Sequence, residues 1–209
     1  CVVVATGNER ISPMVNDQLR HPRIITTEQM AERLTAPRSA ASITSNQRQH
    51  VLFALDLTGL SGKEAVSETL HLALRTRLSW SCEVTVLYRE LQVDSPLLES
   101  LTRRMRETGI VFHRLISAMP SADSTGVSIE HADGSVRGRF MVIPPLVRPR
   151  ADNARLAELL QIAMGSDGYF QQMNVRSYRA GLSNRKGIFL AGRCHLDTDS
   201  DGARGDACI

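Results

Sequence analysis

The sequence has no long apolar run and very little lysine. No apolar stretch approaches the roughly 18 residues of a membrane-spanning helix, so no membrane span is predicted. The only lysines are Lys63 and Lys186, and arginine supplies the other cations in a chain of net charge +3. Scattered arginines on a nearly neutral chain are typical of solvated or ion-paired surfaces. Neither nucleic acid nor a membrane is therefore indicated as a partner.

Motifs for catalysis and metal binding are also missing. The cysteines lie singly at Cys1, Cys82, Cys194 and Cys208, with no C-x-x-C and no His/Cys pair at zinc-ligand spacing. The histidines form neither H-E-x-x-H nor H-x-H, and no G-x-S-x-G is present. We therefore predict no metal site and no catalytic side chain in this chain.

A secretory leader is missing as well. CVVVATG (1–7) is apolar, but it has neither a basic lead nor a cleavage site, which favours a cytoplasmic protein. The chain starts without methionine, inside a predicted strand. We interpret it as a fragment of a longer protein.

The middle of the chain alternates apolar runs with amphipathic segments. The predicted strands are VLFALDL (51–57), CEVTVLYREL (82–91) and IVFHRL (110–115), and the predicted helices are 63–78 and 95–109. Strands and helices that alternate through short joints are typical of a parallel, Rossmann-like sheet. A hairpin follows, with its turn at 132–135 between VSIEH and VRGRFMVI.

The two ends of the chain each supply another strand. CVVVATG (1–7) and GIFLAG (187–192) are apolar runs closed by glycine, which suits buried strands with tight exits. We expect residues 1–20 and 146–209 to pack together, with Val2–Val4 beside Ile188–Leu190. Further predictions are a helix over EQMAERL (28–34) with Thr27 as its N-cap, a linker at 35–49, and a helix from about 152 with Leu156, Leu159 and Leu160 facing inward.

The joint TGLSGKEAV (58–66) is a candidate anion-binding turn. Gly59, Gly62 and Lys63 lie where a strand passes into a helix, but the first glycine pair of G-x-G-x-x-G is missing. Backbone N–H groups and Lys63 are able to hold an anion there, while a plain strand-to-helix turn is the favoured interpretation.

Near its end the chain contains D-x-D-x-D-G, which opens a calcium loop. Asp197, Asp199 and Asp201 fit, but Arg204 stands where the apolar residue belongs and Cys208 where the bidentate glutamate belongs. A solvated acidic loop is the favoured interpretation, no metal ligands are assigned, and a calcium-binding tail is the less favoured alternative.

The order of the segments resembles that of flavoproteins with two dinucleotide-binding domains, and most closely that of heterodisulfide reductase A-like proteins. The matching stretches are VVVATG (2–7), RIITTEQMAERL (23–34), VTVLYRELQ (84–92), RRMRETGIVFHRL (103–115), DNARLAELLQI (152–162), DGYFQQMNVRSYRA (167–180) and GIFLAGRC (187–194). The resemblance implies an α/β, Rossmann-like FAD/NAD(P)-binding fold, three-layered, with a parallel sheet plus a β-hairpin. It also implies a partial FAD-domain strand and linker (1–47), an inserted pyridine-nucleotide-type domain (48–145) and a return segment of the FAD domain (146–209).

The same resemblance implies FAD and a set of residues beside it. Thr6 and Gly7 would lie near the adenosine side, and Ala191, Gly192 and Arg193 near the pyrophosphate and ribityl chain. The segment that starts at Cys194 would pass close to the flavin ring. In the family, such a flavoprotein relays electrons to iron–sulfur partners, so other subunits of an electron-transfer complex are the expected partners.

Departures from the family pattern leave an alternative open. DLTGLSGKEAVSETLHLA (56–73) contains no cysteine, so no iron–sulfur cluster is expected, and Pro144-Pro145 stands in place of a Thr-Gly turn. The N-terminal G-x-G-x-x-G segment that grips FAD is also not in this sequence. We therefore expect FAD in the full-length parent, no bound FAD and no activity in this fragment, and, as the alternative, a Rossmann-like docking module that binds no cofactor.

Overall fold

A computed structural model describes most of the chain. The described residues are 1–15, 17–36, 49–57, 62–91, 93, 95–116, 119–173 and 181–195. The chain forms two compact units: a terminal unit of Cys1–Ile11, Gly62–Glu64 and Val147–Ile209, and a central unit of Ser12–Ser61 and Ala65–Leu146. Among the described residues, no helix is both long and apolar enough to cross a membrane.

Most elements of the described residues are short strands. The strands are β1 (Val2–Val4), β2 (Asn8–Ile11), β3 (Ile24–Thr26), β4 (His50–Ala54), β5 (Glu83–Tyr88), β6 (Val111–Arg114), β7 (Ser121–Ala122), β8 (Val127–His131), β9 (Gly134–Gly138), β10 (Phe140–Ile143), β11 (Leu146–Pro149) and β12 (Ile188–Leu190). The α-helices are α1 (Thr27–Thr35), α2 (Lys63–Trp80), α3 (Pro96–Glu107) and α4 (Asn153–Leu160), and 3-10 turns lie at Pro13–Val15, Asp17–Leu19 and Gly192–Cys194.

The central unit is built on a parallel sheet of order β3–β10–β4–β5–β6. Its two faces are covered differently, because successive side chains of a strand point to opposite faces. In β4, Val51 and Phe53 pack among residues of the helices, whereas Leu52 and Ala54 pack with residues of the β8–β9 hairpin. The result is a three-layer arrangement of helices, sheet and hairpin. The predicted α/β, Rossmann-like fold class is confirmed.

One predicted strand is divided in two. The sequence predicted VRGRFMVI as the second arm of the hairpin, but that arm ends at Gly138, and Phe140–Ile143 crosses into the parallel sheet. Close packing explains why the chain crosses at this residue. A Cβ on Gly138 would lie 2.6 Å from Cγ of Leu52 and 3.0 Å from the carbonyl oxygen of His50. Glycine lets the chain pass this close to β4 before it turns into the sheet.

The first helix and the strand before it lie in the central unit. β3 pairs in parallel with β10, with Ile24 opposite Met141 and Thr26 opposite Ile143. Residues from Ser12 onward therefore group with the central unit, whereas the sequence placed 1–47 with the FAD-type body. The helix itself begins one residue earlier than predicted, because Thr26, not Thr27, is its N-cap and forms a capping box with Gln29.

In the terminal unit, strands from the two ends of the chain are paired. β1 and β12 run parallel, with Val2 opposite Ile188 and Val4 opposite Leu190, which confirms the predicted pairing. Val4 and Leu190 pack with Phe170 and Cys194 in a small core. The inward orientation predicted for Leu159 is wrong: it is 77% exposed. On this short helix the buried positions centre on Asn153 and Ala157, and a helical period turns position 159 away from them.

Candidate functional site

Four of the predicted cofactor residues meet at one edge of the terminal unit. Thr6 and Gly7 follow β1, Ala191 and Gly192 follow β12, and the carboxyl ends of parallel strands lie at the same edge of a sheet. The backbone N–H of Ala191 donates to the carbonyl oxygen of Val4 at 2.9 Å, which continues the pairing beyond the strands. This edge is the position at which ligands of open α/β sheets bind.

The two glycines keep this edge open. Gly7 and Gly192 both have positive φ angles, +72° and +69°, which side-chain-bearing residues rarely adopt. A Cβ built on either glycine would meet no atom within 4 Å. Both turns therefore leave backbone accessible to a ligand, and each glycine is required by conformation and not by packing.

Thr6 and Cys194 are held by the protein itself. The Thr6 hydroxyl donates to Oδ1 of Asn153 at 3.3 Å, and the Asn153 amide donates to the carbonyl oxygen of Gly168 at 3.2 Å. Cys194 is fully buried, and its thiol donates to the carbonyl oxygens of Val4 at 3.1 Å and Ala191 at 3.3 Å. These two side chains fasten β1 and the turn after β12 to the rest of the unit.

A buried carboxylate joins two arginines in the same unit. Nη2 of Arg193 donates to Oε1 of Glu64, and Nη2 of Arg10 lies 3.4 Å from Oε2 of Glu64. The Glu64 side chain is 12% exposed, so both guanidinium groups are held close to one largely desolvated charge. The three side chains together carry one net positive charge. We call Arg10, Glu64 and Arg193 the arginine–glutamate cluster.

Two hydrogen-bond donors near this cluster have no acceptor. Nδ2 of Asn8 and Nε of Arg193 are buried atoms without a hydrogen-bond partner among the described residues. Asn8 and Arg10 are two positions apart on β2 and so point to the same face of that strand. Buried donors are almost always satisfied, and an exception calls for an explanation such as an absent ligand. A ligand with acceptor oxygens would supply it.

Arg10, Glu64 and Asn8 were not predicted from the sequence. Arg10 and Asn8 lie on a short polar strand without alternation, and Glu64 meets Arg193 across 129 positions of sequence. The one signal in the sequence was Glu64 itself. It follows Lys63 directly in the first turn of α2, where a negative charge complements the helix dipole.

The central unit carries a carboxylate at the carboxyl edge of its sheet. Asp56 follows β4, is 5% exposed, and accepts hydrogen bonds from the backbone N–H groups of Arg89 and Glu90 at 2.8–2.9 Å. The sheet order changes direction at β4, and ligands of open α/β sheets bind beside such switch points. Gly59 in the predicted anion-binding turn lies outside the described residues, as do Asp197, Asp199 and Asp201 of the calcium-type loop.

Comparison of the sequence with family models and with curated proteins gives no match. Comparison of the fold with solved structures gives oxidoreductases. The HOCl-induced flavoprotein disulfide reductase RclA from Escherichia coli aligns with 99% of this chain and 43% of its own, at 13% identity and a TM-score of 0.58. The chain shares the fold of these oxidoreductases.

Two further structures support the same fold. The NAD-dependent persulfide reductase from A. fulgidus aligns with 92% of this chain and 33% of its own, at 17% identity and a TM-score of 0.51. The water-forming NADH oxidase from Lactobacillus brevis aligns with 92% of this chain and 39% of its own, at 14% identity and a TM-score of 0.51. The chain thus spans well under half the length of these proteins. The narrower resemblance to heterodisulfide reductase A-like proteins stays a prediction.

Proposed function

We propose that this chain is part of an FAD-dependent oxidoreductase of the heterodisulfide reductase A-like kind, which passes electrons between flavin and iron–sulfur partners. The observation that carries the proposal is the pair of buried donors, Asn8 Nδ2 and Arg193 Nε, in the unit whose open edge is formed by Gly7 and Gly192. The fold shared with flavoprotein disulfide reductase RclA supports it.

The residues present fit FAD as a ligand. Gly7 and Gly192 have no Cβ and allow a close approach of their backbone, Asn8 and Arg193 offer donors to acceptor oxygens, and the arginine–glutamate cluster supplies a net positive charge for a pyrophosphate. FAD, when bound, supplies the electron transfer itself. The chain binds and orients it, and we assign no catalytic side chain.

Asn8 offers the sharpest test of this assignment, because its amide nitrogen contributes no hydrogen bond within the described residues. In the longest natural protein that contains this chain, Asn8→Ala should weaken FAD binding by about tenfold or more, as expected for a lost hydrogen bond to a charged group. The melting temperature of the FAD-depleted protein should not fall. Arg193→Gln should weaken FAD binding further, whereas Arg155→Gln, on the exposed side of α4, should leave it unchanged.

Flavin absorbance of the purified protein and titration of the depleted protein with FAD give the readout. A longer natural protein that carries no stoichiometric flavin would overturn the proposal. So would an Asn8→Ala variant that binds FAD as tightly as the parent. Iron and sulfide analysis of co-purifying subunits tests the electron-transfer part separately.

We expect the 209-residue chain alone to bind no stoichiometric FAD. Its contacts come from the edge formed by Gly7 and Gly192, and binding must first offset several kcal/mol of lost translational and rotational freedom. A flavin spectrum in a purified sample of this chain would contradict the expectation.

The alternative function is a docking module without a bound dinucleotide, and the central unit favours it. Asp56 places a buried negative charge at the edge of the sheet where a pyrophosphate would lie. That charge repels phosphate. Titration with NADH and NADPH separates the two functions of the central unit: no change in nucleotide fluorescence favours docking, and saturable binding favours a pyridine-nucleotide domain.

A further inference from the structure

The hairpin of the central unit extends β6 and brings three potential metal ligands together. Leu115 pairs with His131 as an antiparallel bridge, and the backbone N–H of Ala132 donates to the carbonyl oxygen of Arg114 at 3.0 Å. In that register residue 113 faces residue 133. Side chains directly opposite or diagonal on one face of an antiparallel pair lie within reach of one another. The register therefore gathers His113, His131 and Asp133 on one face.

The side chains are close in space. The imidazole rings of His113 and His131 stack with centroids 3.9 Å apart and an interplanar angle of 27°. Nδ1 of His113 lies 3.7 Å from Oδ2 of Asp133, and the ligand atoms of all three residues lie within 4.8 Å of one another. Two imidazoles and a carboxylate form this group, which we call the His–His–Asp cluster.

The hydrogen bonds of the cluster decide what an ion has to displace. Nδ1 of His131 accepts a hydrogen bond from the backbone N–H of Asp133 at 3.2 Å, so the single lone pair of this nitrogen is engaged, and an ion bound by His131 has to replace this hydrogen bond. The 3.7 Å between Nδ1 of His113 and Oδ2 of Asp133 is too long for a hydrogen bond, so these two atoms do not form one with each other. Ligand atoms at about 2.0–2.2 Å from a tetrahedral zinc ion lie about 3.3–3.6 Å apart. The ligand atoms of the cluster lie within 4.8 Å of one another, so side-chain rotation has to draw them together around an ion.

Burial varies across the cluster in a way that suits an entry path. His131 is 8% exposed, whereas the side chains of His113 and Asp133 are 26% and 80% exposed. An ion can therefore enter from the Asp133 side and meet a nearly buried imidazole at the back.

We propose that His113, His131 and Asp133 bind a divalent transition-metal ion of the Zn²⁺ type. Two imidazole nitrogens and one carboxylate oxygen match the ligands that zinc prefers. Three protein ligands leave a fourth position for water or an external ligand, as in open sites. The three ligands come from β6 and the β8–β9 hairpin, whose register brings them together. The site therefore depends on no segment outside the central unit.

Titration of the chelator-treated chain with ZnSO₄ in a calorimeter tests the site, and the visible absorption of added Co²⁺ reports its coordination. One equivalent of metal should bind. His113→Gln, His131→Gln and Asp133→Asn should each weaken binding by more than about tenfold, since even an outer-shell partner is worth about 10–100-fold. His71→Gln is the matched control, because His71 is exposed on α2 and should bind no ion.

His113→Gln and Asp133→Asn alter side chains that are not buried and should leave the melting temperature unchanged, so loss of binding in these two variants reports on ligation. Absence of stoichiometric Zn²⁺ binding overturns the proposal. Binding that survives in His113→Gln and Asp133→Asn also overturns it and points to a site elsewhere in the chain. Loss confined to His131→Gln overturns it too, since that pattern reports damage to the hairpin.

Discussion

At the scale of single residues, Asp56 links two neighbouring strands of the central sheet. Its carboxylate is nearly buried and accepts hydrogen bonds from the backbone N–H groups of Arg89 and Glu90, directly after β5. Burying such N–H groups without an acceptor costs free energy. One side chain thus satisfies backbone donors from the neighbouring strand.

Replacement of Asp56 should reveal how much this link stabilises the fold. Asp56→Ala should lower the free energy of unfolding by about 1–3 kcal/mol for each N–H group left unsatisfied. Asp56→Asn retains one acceptor oxygen and should cost clearly less. Urea denaturation followed by far-UV circular dichroism compares the two variants. Equal losses in both would mean that the hydrogen bonds are not the source of the stability.

At the scale of elements, α3 begins with a well-defined cap. Ser95 is its N-cap, with its side-chain oxygen accepting from the N–H of Leu98 at 3.2 Å, and Pro96 follows at the first helical position. Ser95→Ala should lower the free energy of unfolding by about 0.5–2 kcal/mol. Ser100→Ala, on the exposed side of the same helix, removes the same hydroxyl without a cap and should be neutral or slightly stabilising. Urea midpoints of the two variants make the comparison, and equal losses would contradict the capping role.

A histidine at the start of β4 makes the sheet sensitive to pH. His50 lies opposite Glu83 on β5, and its Nε2 is 2.9 Å from the hydroxyl of Thr85. Burial lowers the pKa of His50 below 6.5, against the opposing effect of Glu83. The unfolded chain therefore takes up a proton at a higher pH than the folded chain does. The stability that comes from His50 is complete above about pH 6.5 and declines as the pH falls below it.

The His50→Gln variant isolates this contribution. Between about pH 7 and pH 5, the free energy of unfolding should decline less in His50→Gln than in the parent chain, since glutamine does not titrate. Urea denaturation at both pH values, with a chelator present, gives the measurement. Parallel declines in the two proteins would show that His50 is protonated equally in the folded and unfolded states.

Local patterns predicted most elements, and long-range contacts account for the rest. Helices α2 and α3, strands β4, β5 and β6, and the pairing of β1 with β12 follow from apolar runs and turn residues. The split at Gly138 depends on the nearness of Leu52, and the place of β3 depends on a partner strand more than a hundred positions away. The hydrophobic periodicity of a short segment carries no information on either of these long-range contacts.

The candidate site likewise contains residues that were predicted from the sequence and residues that were not. Gly7 and Gly192 were predicted from the resemblance, and the structure brings them to one edge. Arg10 and Glu64 were not predicted, because their relation to Arg193 arises only when segments from three parts of the chain meet. The His–His–Asp cluster was not predicted for a similar reason. The hairpin register brings its residues together, and their spacing in the sequence matches no zinc motif.

At the scale of the whole molecule, the hydrophobic cores are separate. Two clusters lie within the central unit, and a third, which contains Val4, Phe170 and Leu190, lies within the terminal unit. Among the residues that the structure describes, the three clusters have no member in common. Trp80, the single tryptophan of the chain, packs against a central cluster and so reports on the central unit alone.

Leu190→Ala should therefore damage the terminal unit selectively. Leu190 is 2% exposed, and truncation of such a residue costs about 2–5 kcal/mol. Amides of residues 187–195 should exchange hydrogen faster in the variant, as measured by mass spectrometry, while the urea midpoint from Trp80 fluorescence should stay where it is. Leu70→Ala, in a central cluster, is the matched control and should lower that midpoint. A Trp80 midpoint that falls as far with Leu190→Ala as with Leu70→Ala would show that the two units unfold as one.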